Sequence, residues 1–277
     1  MTMCRADIRC LGRAVLATCF VLTSLASSFG NEVLAFDIPE KWDHAVVAIG
    51  SKKYRLNEIT GKVETERTLY GAGVLTRTDR YVLVTARHVV FDLGGTGGVF
   101  PGLYFWGNRI DGTEFERSFE EMTKRWPNLG WVGHPNEQID IAASVVGLDL
   151  KGDRIAFVDL SDFQSAEGVK KGRDIYYLGY PKGLGSYRGS DPMVRKGIVA
   201  LRETGASYFY IDATVAPGNS GGPVFVLEGD APRFIGIVAE FVPFSRGGQY
   251  FHAGLGKVYP TDFIRSLIFS DEFKSTY

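Results

Sequence analysis

From residue 44 onward, apolar side chains recur at every second position or in short runs, and each run ends near Gly, Pro, Asp or Asn. The clearest segments in the first half are His44–Ile49, Tyr70–Leu75, Tyr81–Ala86, Leu103–Trp106 and Ile139–Val146. Those in the second half are Asp174–Leu178, Met193–Leu201, Tyr208–Ala213, Pro223–Leu227, Phe234–Phe241 and Gln249–Leu255. They are rich in Val, Ile, Tyr and Phe, the residues that fit a pleated, half-buried surface. About a dozen short strands at this spacing predict an all-β, antiparallel barrel or sandwich.

Helical periodicity is rare. After Pro260, the segment Thr261–Ile268 places Phe263, Ile264, Leu267 and Ile268 on one face, with Thr261 as a candidate N-cap. A charged helix is also expected over Phe115–Arg125, exposed and inside a long connection from Gly107 to Gln138. Gly94–Gly98 precedes that connection; it lacks the Lys and the strand-to-helix setting of a phosphate loop and reads as a flexible turn. A short linker near Leu148–Arg154 divides the pattern into two β units, 36–150 and 151–277.

The first residues follow a different pattern. Arg5, Arg9 and Arg13 precede an apolar run from Ala14 to Ala26, followed by small residues at Ala26, Ser27 and Ser28. This is the order of a secretory signal, with cleavage between residues 26 and 35, and the run is short for a membrane span of ~20 residues. All three cysteines, Cys4, Cys10 and Cys19, lie in this leader, so the exported part has no disulfide. Some 240 residues bury enough apolar surface to fold without one. Residues 36–277 carry 28 basic and 30 acidic residues, a net charge of −2 with no basic stripe, which argues against a nucleic-acid partner. With the leader removed, no membrane association is expected, and the location is periplasmic or extracellular.

Three segments carry chemistry. In Ala216-Pro217-Gly218-Asn219-Ser220-Gly221-Gly222-Pro223, a serine flanked by glycines precedes an apolar strand. Such a turn exposes the hydroxyl and lets the N–H groups of Gly218 and Ser220 point at a developing oxyanion. A Gly-rich β-turn with an incidental serine has the same composition. In Val84-Thr85-Ala86-Arg87-His88, the histidine follows a strand, where a rigid element can position a general base; a hydrogen-bonded core histidine is the bland alternative. His44, His134 and His252 are expected to be structural. In Ile139-Asp140-Ile141-Ala142, an Asp between apolar neighbours needs partners for its carboxylate, such as a histidine N–H, although a strand cap would also serve. Asp92 and Asp111 are rival acids in more polar settings. The His and carboxylate spacings contain no metal-binding pattern such as H-E-x-x-H, and no cofactor is expected.

Taken together, Thr85-Ala86-Arg87-His88, Asp140-Ile141-Ala142 and Pro217–Pro223 resemble the trypsin-like serine proteases, within them the bacterial HtrA-like subgroup. Ile211-Asp212-Ala213, Leu178-Gly179-Tyr180-Pro181, Lys196–Val199 and Gly236-Ile237-Val238-Ala239 are similar to the same subgroup. The resemblance implies two six-stranded antiparallel β-barrels with a C-terminal helix and a cleft between the barrels. It implies a triad of His88, Asp140 and Ser220, an oxyanion hole from Gly218 and Ser220, and hydrolysis of polypeptide substrates through an acyl-enzyme. Thr214, Ala239, Glu240 and Phe241 would line the specificity pocket, and a neutral Thr214 disfavours cleavage after Lys or Arg. Only 57 residues follow Ser220, so no PDZ domain is expected, and Arg87 beside the base is unusual. Asn219 replaces the Asp that accepts a freed N-terminal ammonium in digestive trypsin-like enzymes. That ammonium would lack a charge partner here, so no N-terminal insertion is expected. Two rivals compete: a binding or scaffolding protein that kept this fold without turnover, and an α/β-hydrolase esterase. The order His, Asp, Ser excludes the esterase, whose histidine comes after its serine.

Overall fold

Tyr81–Thr85 (β3) is buried along its whole length and is an interior strand of an eight-stranded sheet. The computed structural model describes residues 40–95, 97–148, 154–185, 190–229, 231–246 and 249–277. The expected leader and the linker centre fall outside them. In this sheet β3 is flanked by β2 (Val63–Arg77) and β7 (Ala142–Val145). Beyond β2 lie β1 (Val46–Leu56), β4 (Leu103–Asn108) and β5 (Glu114–Ser118); beyond β7 lies β6 (Val132–Gly133). A two-residue strand, β8 (Val158–Asp159), adds to β2 in parallel. Only the inner half of β1 is buried; from Ser51 it runs outward with β2 as a hairpin.

The second half closes into a six-stranded barrel. Its order is β10 (Met193–Arg202), β11 (Phe209–Asp212), β14 (Gln249–Pro260), β13 (Ala231–Arg246), β12 (Pro223–Glu228) and β9 (Asp174–Gly179). Ile175, Tyr177, Val199, Ile211, Val224 and Val258 fill its interior, each no more than 1% exposed. The expected all-β architecture is thus present, in two sheets. One unit is a closed six-stranded barrel. The other is a partly barrel-like sheet of eight strands, the two-residue β6 and β8 raising the count above the six expected.

Helices seal the outside. Glu40–His44 (α1) carries Trp42, whose ring meets Phe225 at 5.2 Å and Phe234 at 6.5 Å, so the chain entering the first sheet is anchored on the second barrel. The one-turn α2 (Arg87–Val90) follows β3. Over Phe115–Arg125 the structure replaces the expected exposed helix. Its first part is strand β5, paired with β4, and only Phe119–Arg125 (α3) is helical, with Phe119 and Met122 buried. The terminal α4 spans Thr261–Ile268 as expected, but its N-cap is Pro260. Thr261 Oγ1 donates instead to Gln164 C=O at 2.6 Å, because this side chain is buried and its hydroxyl has a main-chain partner elsewhere. A final turn, α5 (Asp271–Lys274), is capped by Ser270.

Hydrogen bonds also join the two halves near Ser220. Tyr180, fully buried at the end of β9, donates its hydroxyl toward Val46 C=O (3.2 Å) and Ser190 C=O (3.0 Å). Ala72 N–H on β2 donates to Ser220 C=O at 2.7 Å. The Ser220 turn of the second barrel is therefore held against the first sheet.

Candidate active site

The strand β3 delivers Thr85 and Ala86, and α2 turns His88 away from the sheet. Asp140 lies two residues before β7, between Ile139 and Ile141, both buried. Antiparallel pairing of Thr85 with Ala142 brings these two strand ends together, so His88 and Asp140 meet although 52 residues separate them. Asp140 Oδ2 lies 2.6 Å from His88 Nδ1, and Asp140 Oδ1 accepts the His88 backbone N–H at 2.9 Å. The side-chain bond of His88 among the described residues runs to Asp140, which leaves Nε2 on the far edge of the ring.

Burial disfavours the imidazolium of His88, but the hydrogen bond and charge of Asp140, with Glu240 adding, outweigh it and raise the His88 pKa above its ordinary 6.5. For Asp140, burial disfavours the carboxylate. The His88 ring bond, the His88 charge, the His88 N–H and the charge of Lys257 together lower its pKa. Both shifts favour the charged pair. The acidic partner's stabilisation is present above the ordinary carboxylate range and is lost as pH falls through its lowered pKa. That of the histidine is complete below 6.5 and is lost as pH rises through its raised pKa. A general base acts only when unprotonated. The rising limb of kcat/KM against pH is therefore expected to have its midpoint above 6.5, read between about pH 5 and 9. A midpoint at or below 6.5 would contradict this coupling.

The Ser220 turn is shaped by main-chain bonds. Pro217 C=O accepts from Lys182 N–H at 2.7 Å and Gly218 C=O accepts from Tyr180 N–H at 3.0 Å. In a planar trans peptide the N–H opposes the C=O, so fixing Pro217 C=O toward Lys182 turns Gly218 N–H the other way. Among the described residues, neither Gly218 N–H nor Ser220 N–H donates a hydrogen bond. Gly218 has φ +97°, and a Cβ there would meet Tyr180 O at 2.1 Å. Gly221 has φ +84°, and its Cβ would meet Ala72 O at 2.0 Å. Both positions require glycine for conformation and for space. Asn219 is fully buried, and its Oδ1 closes the turn by accepting from Ala216 N–H at 3.0 Å. The N-terminal segment relevant to insertion lies outside the described residues. On the other side, a Cβ on Gly71 would lie 2.6 Å from the Val89 side chain and 2.7 Å from Ser220 O, which places the turn against the helix that carries His88.

The four expected pocket residues fall into one region. Ala239, Glu240 and Phe241 follow one another on β13, with Ala239 buried and the other two exposed. Phe241 stacks on His252 (5.1 Å between centroids), and His252 Nε2 bonds to Val215 C=O, next to the exposed Thr214. Gly254 N–H donates to His252 Nδ1 at 2.8 Å, so the proton of this ring is on Nε2. Glu240 turns its carboxylate to Lys257 Nζ at 3.1 Å, and that ammonium lies over the rings of Tyr208 (4.4 Å) and Tyr259 (5.1 Å). His134 is structural, with Nδ1 accepting from Asn136 N–H (3.1 Å) and Nε2 facing Ser266 Oγ (3.1 Å); His44 is buried. Arg87 points away from the site, its guanidinium lying 3.4 Å from His134 C=O and 3.7 Å from Glu137.

Two supports had no signal of their own in the sequence. Lys182, at φ +53°, clamps Pro217 C=O; its segment stood out only through the Leu178–Pro181 resemblance. Tyr259 Oη donates to Gln138 C=O at 2.7 Å and ties the Asp140 loop to the second barrel. The rival acids are elsewhere: Asp111 accepts from Thr113 N–H and Oγ1 in the β4–β5 turn, and Asp92 packs on Gly95.

A partly barrel-like sheet and a closed six-stranded barrel, with His88 and Asp140 brought together at strand ends of the first, define the chymotrypsin-like architecture. The chain belongs to the trypsin-like peptidase domain family, whose model matches residues 71–237, more than half its length. It is similar to probable periplasmic serine endoproteases, DegP-like, from Pseudomonas putida (strain GB-1) and Halomonas elongata. Identity is 28% over 73% of this chain for the first and 31% over 46% for the second. The chain spans only 35% and 27% of those relatives. Among solved structures, a serine-to-alanine variant of the HtrA-type protease AlgW with a decapeptide has a TM-score of 0.52 at 19% identity, covering 82% of this chain and 64% of that one. Deg5 has a TM-score of 0.52 at 17% identity, covering 82% and 88%. At these identities the two structures speak for the fold.

Proposed function

We propose that the chain is a serine endopeptidase in which Ser220 is the nucleophile, His88 the general base and Asp140 the acid that orients it. The observation that carries this reading is the pair of hydrogen bonds between Asp140 and His88, at 2.6 Å on the ring and 2.9 Å on the backbone, in a chain that also holds a glycine-shaped serine turn. Asp140 holds the proton on Nδ1, so Nε2 takes the Ser220 proton as Oγ attacks the substrate carbonyl. The N–H groups of Gly218 and Ser220 receive the oxyanion. Collapse expels the amine, protonated by His88, and leaves an ester on Ser220. Water, deprotonated by His88, then hydrolyses the ester and returns the proton to Ser220. No step requires a metal or cofactor.

The pocket residue Thr214 and the strand Ala239–Phe241 offer no free acid to a cationic side chain, since Glu240 is paired with Lys257. Small or medium apolar residues before the scissile bond fit best. We take residues 1–35 as an export leader and 36–150 and 151–277 as two halves of one catalytic unit. A periplasmic location fits both the leader and the relatives named periplasmic.

A fluorophosphonate probe tests the reading directly. The wild-type chain is expected to be labelled on Ser220, with labelling abolished in Ser220→Ala and strongly reduced in His88→Ala. Silence of folded wild-type protein at neutral pH would favour a binding protein that retains the fold.

A further inference from the structure

The strand that borders the nucleophile turn continues well past it. Val238 pairs with that turn, its N–H donating to Gly222 C=O (2.9 Å) and its C=O accepting from Gly221 N–H (2.7 Å). Pairing of β13 with β12 ends one residue earlier, at Ile237. From Ala239 onward, among the described residues, β13 is paired only with β14, so its opposite edge is free. Along this stretch the β13–β14 hairpin carries an unusual amount of exposed aromatic surface. Phe244 and Phe251 sit directly opposite each other and stack at 5.3 Å with 25° between the planes, yet remain 47% and 42% exposed. Phe241, 36% exposed, lies between this pair and the nucleophile turn along β13. Exposed apolar residues clustered beside a cleft mark an interaction surface, whereas scattered ones do not.

We propose that this hairpin is a docking platform for the substrate polypeptide itself, selecting chains with aromatic or large aliphatic side chains about four to six residues before the scissile bond. The proposal rests on the peptidase reading above and extends it beyond the specificity pocket. Its occupant follows from continuity. A polypeptide whose scissile carbonyl lies at Ser220 enters beside Val238, and the unpaired edge from Ala239 to Val242 offers it main-chain partners. Antiparallel addition runs the residues N-terminal to the scissile bond outward along β13, one residue per ~3.4 Å. Pro243 has no N–H to offer, so the ladder fades there and side-chain contact takes over. Phe244 lies six positions beyond Val238, which sets the range of substrate positions it reaches.

The test uses two fluorogenic peptides with the same scissile residues, one with Phe or Leu and one with Ser or Asn four to six residues upstream. Wild-type protein is expected to prefer the first by about tenfold in kcat/KM, the scale of one partly buried aromatic contact. In Phe244→Ser/Phe251→Ser the ratio is expected to fall to about one, and in Phe244→Leu/Phe251→Leu it should persist. Far-UV circular dichroism controls for folding, and Phe244→Ser alone serves if the double variant does not fold. A third peptide carries the aromatic residues downstream; equal preference for it would overturn the proposed direction. Preference retained in the serine variant, or absent from wild type, would overturn the platform. Binding of the same peptides to Ser220→Ala, read by fluorescence anisotropy, separates this inference from the catalytic one. About tenfold tighter binding of the upstream-aromatic peptide supports the platform even without turnover, and equal binding refutes it.

Discussion

Ser220→Ala should lower kcat/KM on a peptide substrate by up to about 10⁶, the scale at which a serine protease loses a triad member, with no loss of fold. The fold is expected to survive because the turn is held without the hydroxyl. Ser220 C=O takes Ala72 N–H, Asn219 N–H and side chain both return to Ala216, and Gly222 N–H caps Asn219 C=O at 2.9 Å. Removing Oγ from this frame leaves the Gly218 and Ser220 N–H groups and the His88–Asp140 pair in place. Their residual stabilisation of the transition state defines the floor. The measurement pairs steady-state kinetics with a thermal melt. An unchanged melt and turnover near the wild-type value would remove Ser220 from the mechanism, whatever its surroundings look like.

Much of the site's outline was legible because its most demanding positions are chemical. Glycines at 218 and 221 are forced by positive φ and by carbonyl oxygens within about 2.1 Å of any Cβ, and the spacing around Ser220 shows this in the sequence itself. An Asp between Ile139 and Ile141 must find donors, and it finds two on His88. The strands were legible from their β-branched and aromatic alternation. Reading failed where charge and period pointed the wrong way. Glu114, Glu116 and Arg117 look like a solvated helix, but Glu114 and Glu116 pair with Arg67 on the β1–β2 hairpin while Phe115 turns inward, so the segment is a strand. Thr261 precedes a helix, yet its hydroxyl serves Gln164. The clamp from Tyr180 and Lys182 is invisible for another reason. Its contacts are main chain to main chain between segments some 35 residues apart, and no side-chain type announces them. The exposed rings of Phe244 and Phe251 were likewise unreadable, since a run of aromatics in a strand normally signals core.

Asp140→Asn should reduce kcat/KM by about 10⁴, the scale seen when the orienting carboxylate of a serine triad becomes an amide. The geometry shows why the amide cannot adapt. The carboxylate uses both oxygens as acceptors, Oδ1 for the His88 backbone N–H and Oδ2 for the ring Nδ1–H. An amide has only one oxygen. If it stays on the backbone N–H, the NH₂ faces Nδ1, which must then be bare, and the ring proton moves to Nε2, where the base is needed. If the amide flips to serve Nδ1–H, its NH₂ opposes the backbone N–H of His88, donor against donor, at a partly buried position where an unmet donor costs on the order of 1–3 kcal/mol. The backbone bond therefore selects the inactive tautomer. The same change removes the charge that raises the His88 pKa, while the burial that lowers it remains. The rising limb of the pH profile should move to lower pH even as the plateau falls, a paired signature that a merely unfolded variant would not show. Asp111→Asn and Asp92→Asn, which alter carboxylates outside the His88 environment, are expected to change turnover only slightly. A loss in either of them comparable to that of Asp140→Asn would reassign the acid.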